Sequence, residues 1–257
     1  MRCPKCNFDQ PDSRIECLKC GIVFAKYLSI KNQASDKSVG IPPFDLTKEV
    51  NHHSSKIKAY LKNLFFHINP EIGIYHLIGR VFVLLVIIVW GLKFIFSSIE
   101  SNYSGNSFMH LVNLPFHEAG HILFRIFGQF MMILGGSLTQ CLVPLICLLT
   151  FLVKTKDPFA ASVSLWWLGE NLIDLAPYIN DARALKLMLL GGVTGQDVED
   201  YHDWEFIFRK LSLLEYDHLM AQTAHMIGSL LMIIAFVWGG SVLLTQYRNR
   251  HSDLEEK

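Results

Sequence analysis

His117, Glu118 and His121 form an HExxH sequence, and residues of these types at this spacing can perform metal-dependent hydrolysis. On an α-helix the two histidines lie one turn apart on the same face, so both imidazoles can bind one Zn²⁺. Glu118 is then placed to act as a general base on a zinc-bound water. The motif lies in an apolar stretch that begins at Phe108, where an ionisable group is costly and usually functional. The alternative is a pair of packed helical histidines beside a buried, paired glutamate.

A catalytic zinc site needs a third protein ligand and one open position. Residues 122–156 contain no Asp, Glu or His, so that ligand must come from a later segment. We expect it from Glu170, Asp174 or Asp181, since a helix would place all three on one face. The first two could instead form hydrogen bonds between helices, and Asp181 could be an N-cap. Further candidates, as ligands or as groups beside them, are His202, Asp203 and His225.

Four of the six cysteines lie in the first 20 residues. They form two CxxC pairs, Cys3 with Cys6 and Cys17 with Cys20, a spacing typical of tetrahedral thiolate coordination of a structural zinc ion. Two disulfides or a redox-active CxxC are the alternatives. Because thiolates that bind zinc need a reducing compartment, we expect a cytoplasmic N-terminus.

Composition places the chain among helical membrane proteins rather than nucleic-acid-binding ones. Its 257 residues include 23 basic and 23 acidic side chains, so the formal net charge is zero and no nucleic acid is expected as a partner. Hydrophobic residues make up 51%, and the mean hydropathy is +0.30. We predict a mainly α, polytopic helical membrane protein with roughly four to six membrane segments and a small N-terminal zinc ribbon.

The predicted organisation has four parts. They are a zinc ribbon at 1–27, a linker with a basic amphipathic segment at 28–72, a helical membrane domain containing HExxH at 73–247, and a polar tail at 248–257. Within the linker, residues 55–66 are expected to form a helix that lies on an anionic membrane surface or is simply solvated. The apolar segments expected to cross the membrane are 81–96, 108–130, 131–153, 159–179 and 219–244.

The topology of residues 108–153 stays open in the sequence. If the basic residues after 153 and after 247 are all cytoplasmic, residues 108–153 must cross an odd number of times. The segment 131–153 would then begin as a re-entrant or extended piece at Gly135, Gly136 and Ser137. A plain bend between two apolar segments is the alternative at these residues.

The motif and the later carboxylates resemble the site-2 protease family of intramembrane zinc metalloproteases. The resemblance covers roughly residues 108–190, and its second motif corresponds to Asn171 to Arg183, where Asp181 is followed by Ala182 rather than glycine. It implies His117, His121 and Asp181 as zinc ligands, Glu118 as the base and Asn171 near the substrate backbone. It also implies that the region of Gly135 and Gly136 supplies an extended edge to the substrate. The whole chain is similar to bacterial membrane proteins that combine such a ribbon with an FHEAGH sequence.

Two functions follow as expectations. The first is a membrane-embedded zinc metalloendopeptidase of the bacterial inner membrane, which cleaves membrane or membrane-associated proteins. Glu170, Asp174, Asn171, His202 and Asp203 would then contact the substrate or support the ligands. The alternative is a non-proteolytic metal-binding or scaffold protein whose ribbon recruits a cytoplasmic partner.

Overall fold

The computed structural model describes residues 1–36, 46–67 and 73–255. The chain divides into two compact units, Met1–Ile57 and Lys58–Lys257. The predicted linker lies partly outside the described residues, including Pro42 and Pro43. The described residues are mainly α-helical and contain no β-sheet.

Eight α-helices form the described chain. They are α1 (Phe24–Asp36), α2 (Leu46–Phe65), α3 (Ile74–Phe96), α4 (Phe108–Phe124), α5 (Gln129–Leu149), α6 (Pro158–Asn180), α7 (Asp203–Leu211) and α8 (Asp217–Glu255). Part of the predicted linker is therefore helical, in α1 and α2. The predicted polar tail continues α8 as far as Glu255.

The first unit begins with two short antiparallel bridges, Arg2 with Asp9 and Glu16 with Val23. Each bridge brings together the chain on either side of one CxxC pair. Gly21, with φ of +69°, follows the second pair at a position where a side chain would be strained. Cys3, Cys17 and Phe24 form the buried centre of this small unit.

Helix α6 is the central element of the second unit, and it packs against α8, α5 and α3. Asp157 caps its first turn by accepting from the Ala160 N–H at 3.2 Å, and Arg80 of α3 donates to the same carboxylate at 2.7 Å. A Cβ on Gly169 would lie 2.6 Å from the Gly228 carbonyl oxygen. Glycine is required there because the backbones of α6 and α8 nearly touch.

Helices α4 and α5 are held together in the same way. A Cβ on Gly120 would lie 2.1 Å from the carbonyl oxygen of Gly135. Gly135 and Gly136 are both buried within the continuous helix α5. The expected extended piece, and the alternative of a plain bend, are therefore wrong at these residues, because the glycines lie in a continuous helix and permit close helix packing. The predicted segment 108–130 also ends early: α4 stops at Phe124 and the chain turns at Gly128, which has φ of +93°.

Among the described residues, three helical stretches are long and apolar enough to cross a membrane by length and composition: Ile74–Phe96, Gln129–Lys154 and Leu214–Arg250. They contain the predicted segments 81–96, 131–153 and 219–244. Helix α4 is only 17 residues long, and α6 includes the buried carboxylates Glu170 and Asp174. The larger number of four to six segments stays a prediction.

Candidate functional site

Two groups of side chains in the described residues could each hold a metal ion. The first consists of the four N-terminal cysteines, with sulfur–sulfur distances of 3.8 Å between Cys3 and Cys20 and 3.6 Å between Cys6 and Cys17. Four thiolates at about 2.3 Å from a tetrahedral zinc lie roughly 3.8 Å apart, so the spacing fits. Burial raises the pKa of Cys17, but the backbone N–H groups of Cys20 and Lys19 lower it to about 6. This thiol is accordingly ready to ionise as a ligand.

The second group consists of His117, His121 and Asp203. Asp203 Oδ2 lies 3.0 Å from His117 Nε2 and 3.3 Å from His121 Nε2. Ligand atoms bound to one tetrahedral zinc at about 2.1 Å would lie roughly 3.4 Å apart. The donor types and their spacing therefore fit zinc, with Asp203 as the third ligand.

Both histidines are held with Nε2 directed into this group. Gln140 Oε1 of α5 lies 3.0 Å from His117 Nδ1, and the Met132 carbonyl oxygen lies 2.9 Å from His121 Nδ1. Because each oxygen can only accept, each Nδ1 carries the proton and leaves the Nε2 lone pair for a metal. The α4–α5 contact thus sets the tautomer and ring orientation of both ligands.

A buried polar network continues from His117 into the protein. Gln140 donates to Asp174 Oδ2 at 3.0 Å, and Asp174 also lies 3.1 Å from His110 Nδ1. Asn113 donates to Asp174 at 3.2 Å and to Glu170 at 2.8 Å. These contacts place the two predicted carboxylates behind the histidine and outside the group of metal-binding side chains. Asp174 fixes the orientation of Gln140, and Glu170 contacts Asn113.

Asp203 begins helix α7, directly after the long connection that follows α6. Its backbone N–H donates to the Tyr178 hydroxyl at 2.9 Å, and this anchors the ligand to α6. Burial raises the pKa of the Asp203 carboxyl, but the adjacent His117 and His121 rings outweigh it and bring the pKa below its ordinary value. The residue is therefore ionised at neutral pH, as a zinc ligand must be.

The structure places Asp181 away from the histidine pair, in contrast to the expectation that it is the third ligand. Asp181 follows the last residue of α6, and its carboxylate accepts from the Lys186 N–H at 3.0 Å and the Leu187 N–H at 2.8 Å. His202 Nε2 lies 3.6 Å away. Both carboxylate oxygens are therefore occupied by the following loop. The N-cap alternative is also wrong, because residues 182–184 form a turn instead of a helix.

Three other predicted residues do not line the cavity onto which the histidine group opens. Asn171 is fully buried and donates to the Trp167 carbonyl oxygen at 2.9 Å. It therefore lies within the packed core and not beside a substrate backbone. His225 of α8 is outside the metal-binding group, and its buried Nε2 atom has no hydrogen-bond partner among the residues that the structure describes. His202 is buried too, with its ring centroid 4.3 Å from that of Tyr178.

A cavity of about 580 Å³ opens onto the His117, His121 and Asp203 group. Glu118 lines it, and no other side chain in the described part of the chain is hydrogen-bonded to the Glu118 carboxylate. The cavity lining includes neither lysine nor arginine, so no fixed cation neutralises this carboxylate. Glu118 is consequently available to exchange protons with a molecule in the cavity.

Gly136 leaves the space in which a metal ion would meet the histidines. A Cβ there would lie 2.6 Å from the Nε2 atoms of both His117 and His121. We expect Gly136→Ala to lower zinc affinity at this site by about tenfold or more, because the ligand rings must shift from their hydrogen bonds. Zinc bound to the purified variant over a titration with a chelator measures the effect. Gly79→Ala is the control, since nothing lies within 4 Å of a Cβ at Gly79; equal affinities in the two variants would contradict the prediction.

Comparison with known proteins found no matching family model, curated protein or solved structure. The likeness to site-2 proteases accordingly depends on the motif residues themselves. The function is therefore inferred from the geometry of the two metal-binding groups.

Proposed function

We propose that this chain is a membrane-embedded zinc peptidase that hydrolyses peptide bonds in membrane or membrane-associated proteins. The observation that supports it most is the convergence of His117, His121 and Asp203, with the free carboxylate of Glu118 in the same cavity. Three protein ligands with one open position distinguish catalytic zinc sites from closed structural ones. The four cysteines of the ribbon would fill every position around a zinc ion, as in structural sites.

Glu118 supplies the acid–base chemistry in this proposal. Its carboxylate removes a proton from the attacking water and later returns that proton to the leaving amine. A bound zinc ion would polarise the substrate carbonyl and lower the pKa of water. Gln140 and the Met132 carbonyl oxygen keep the two histidines in the tautomer that this chemistry requires.

The same proposal includes a location. Three helices of sufficient length and apolarity favour an integral membrane protein. Four cysteines placed to bind a metal ion as thiolates favour a reducing compartment for the ribbon. We infer an inner-membrane protein of a bacterium with a cytoplasmic N-terminus, where the ribbon could bind a further protein.

Zinc content tests the metal site directly. Detergent-purified full-length protein should contain two zinc ions per chain, one for each group of ligands. His121→Ala should reduce this to one, whereas His76→Ala, which replaces an exposed histidine in α3, should leave both. One zinc in all three proteins would remove the main support for a catalytic site.

Peptide hydrolysis tests the activity. Purified protein is incubated in detergent with a peptide library from a digested membrane fraction, and new termini are identified by mass spectrometry. We expect cleavage that a chelator abolishes and added zinc restores. Full zinc occupancy without cleavage of any peptide would favour the alternative, a metal-binding scaffold.

A further inference from the structure

Asp181 and His202 are buried ionisable residues that the proposed hydrolysis does not use. Asp181 is 8% exposed and His202 is 1% exposed. His202 Nδ1 accepts from the Glu205 N–H at 3.2 Å, so its proton is on Nε2, which faces Asp181 at 3.6 Å. Burial raises the pKa of Asp181, but His202 and the N–H groups of Leu187 and Lys186 bring it below its ordinary value. Asp181 is therefore a fixed, ionised support for the groups that its carboxylate binds, and His202 lies beside it.

What the carboxylate binds is the start of a short segment, residues 186–190, which is not helical. Leu185 has φ of +55° and Gly191 has φ of +91°, so the chain turns sharply at both ends. Between these turns, the Leu189 N–H donates to the Val193 carbonyl oxygen at 2.8 Å, and the Tyr201 hydroxyl donates to the Leu190 carbonyl oxygen at 2.9 Å. The Gly192 N–H also donates to the Leu189 carbonyl oxygen at 3.1 Å, so with the two N–H groups that Asp181 binds the segment is held at five points. The fold therefore fixes its conformation before any ligand arrives.

From Leu187 to Leu190, bonded and unbonded N–H groups alternate in the described part of the chain. The N–H groups of Leu187 and Leu189 are both used within the protein, by Asp181 and Val193. Between them, the N–H and C=O of Met188 have no partner in the described part of the chain. Met188 is therefore the residue between these two contacts whose backbone groups are free to bind another molecule.

The residues around these free backbone groups line the catalytic cavity. All four residues from Leu187 to Leu190 line it, together with Glu118 and Asp203. Met188 is 70% exposed and Leu190 is 53% exposed. An unpaired backbone edge with apolar side chains, in the cavity that contains the metal ligands, has the chemistry that recognises an extended peptide.

We propose that residues 186–190 are a preformed edge that binds the substrate backbone in extended form by hydrogen bonds to the N–H and C=O of Met188. Asp181 and His202 are positioning residues that hold this edge beside the ligand Asp203. The occupant is a peptide segment without helical structure, because a helix uses its own N–H groups internally. The inference depends on the proposed peptidase function and names the element that would bind its substrate.

Binding to an inactive full-length protein separates recognition from cleavage. The parent protein is Glu118→Gln in detergent with zinc, and the probe is a fluorescein-labelled ten-residue peptide of Leu, Ala and Ser, followed by anisotropy. We expect a further Met188→Pro substitution, which removes the N–H, to weaken binding about tenfold, the equivalent of one or two lost hydrogen bonds.

Met188→Ala in the same parent is the matched control, because it shortens the side chain and keeps the backbone N–H. It should weaken binding by less than Met188→Pro does. Equal affinities of the parent and Met188→Pro would overturn the proposal. A loss in Met188→Ala as large as that in Met188→Pro would overturn it too, since the side chain and not the backbone would then carry the binding.

Changes in the peptide provide a test that does not depend on protein folding. The same peptide methylated on every backbone nitrogen cannot donate to an edge, whereas methylation of alternate nitrogens leaves one side of the strand able to pair. We expect the fully methylated peptide to lose binding and the alternately methylated one to keep it. Equal binding of the fully methylated and unmethylated peptides overturns the edge, as does the absence of binding by any of the peptides.

The outcomes for the edge and for the peptidase are distinguishable. A peptide whose binding depends on Met188 but which the wild-type protein never cleaves would contradict the peptidase function and remain consistent with peptide binding by residues 186–190. Cleavage by Met188→Pro with an unchanged KM would contradict substrate binding by residues 186–190 and remain consistent with the peptidase function. Zinc content, measured in every variant, shows whether the metal site is intact.

Discussion

Glu118→Gln is expected to lower peptide hydrolysis by about a thousandfold while both zinc ions stay bound, since proton transfer by a positioned carboxylate contributes on this order. The amide has nearly the shape of the carboxylate but cannot accept the proton from water. Glu118 lines the cavity and is outside the group of metal ligands, so the substitution should leave metal binding intact. Cleavage rate and zinc content, measured on the same preparation, test both parts of the expectation.

Glu100→Gln is the matched control for this loss. Glu100 is exposed, lies in a short turn after α3 and does not line the cavity. Its substitution should change neither hydrolysis nor zinc content. Hydrolysis that survives in Glu118→Gln at the wild-type rate would exclude Glu118 as the base.

Short-range patterns predict the parts of the site that lie close together in sequence. Helical spacing alone brings His117 and His121 onto one face, and the CxxC spacing brings the thiols of the ribbon together. The mainly α class also follows from the length and apolarity of individual segments. None of these features requires knowledge of how distant segments pack.

The third ligand depends on packing that the sequence pattern does not contain. Asp181 and Asp203 are 22 residues apart, and both follow α6 in polar surroundings. What separates them is the path of the intervening loop, which folds back so that its N–H groups occupy Asp181 and its end brings Asp203 to the histidines. The sequence indicates Asp203 as a ligand only through its position beside His202 in a polar stretch. That position is enough to include it among the further candidates but not to prefer it over Asp181.

Gly135 and Gly136 are a second case in which the sequence pattern does not reveal how distant segments pack. Adjacent glycines in an apolar stretch favour a bend or an extended piece when the sequence is considered alone. In the structure, Gly135 meets Gly120 of α4 and Gly136 faces the two histidines. Absence of a side chain is required by the neighbouring helix and by the metal position, neither of which is visible in local sequence.

Asp203→Ala is expected to remove the zinc ion of the histidine site and with it all hydrolysis, so that zinc content falls from two per chain to one. Two imidazoles alone provide fewer protein ligands than a catalytic zinc site requires. Asp181→Ala should keep both zinc ions, because its carboxylate contacts Lys186 and Leu187 and not the histidines. Its effect should instead be weaker binding of substrate peptide, since the segment 186–190 loses its support.

Asp203→Ala and Asp181→Ala therefore establish the roles of the two aspartates by different measurements. Zinc content measured by mass spectrometry distinguishes a ligand from a positioning residue, and KM distinguishes a residue that supports substrate binding from one that holds the metal. Asp203→Asn adds a stricter form of the test, because it preserves the side-chain shape while removing the charge that balances a divalent ion. Loss of zinc in Asp181→Ala together with its retention in Asp203→Ala would reverse the assignment and restore the ligand set that the site-2 protease resemblance implies.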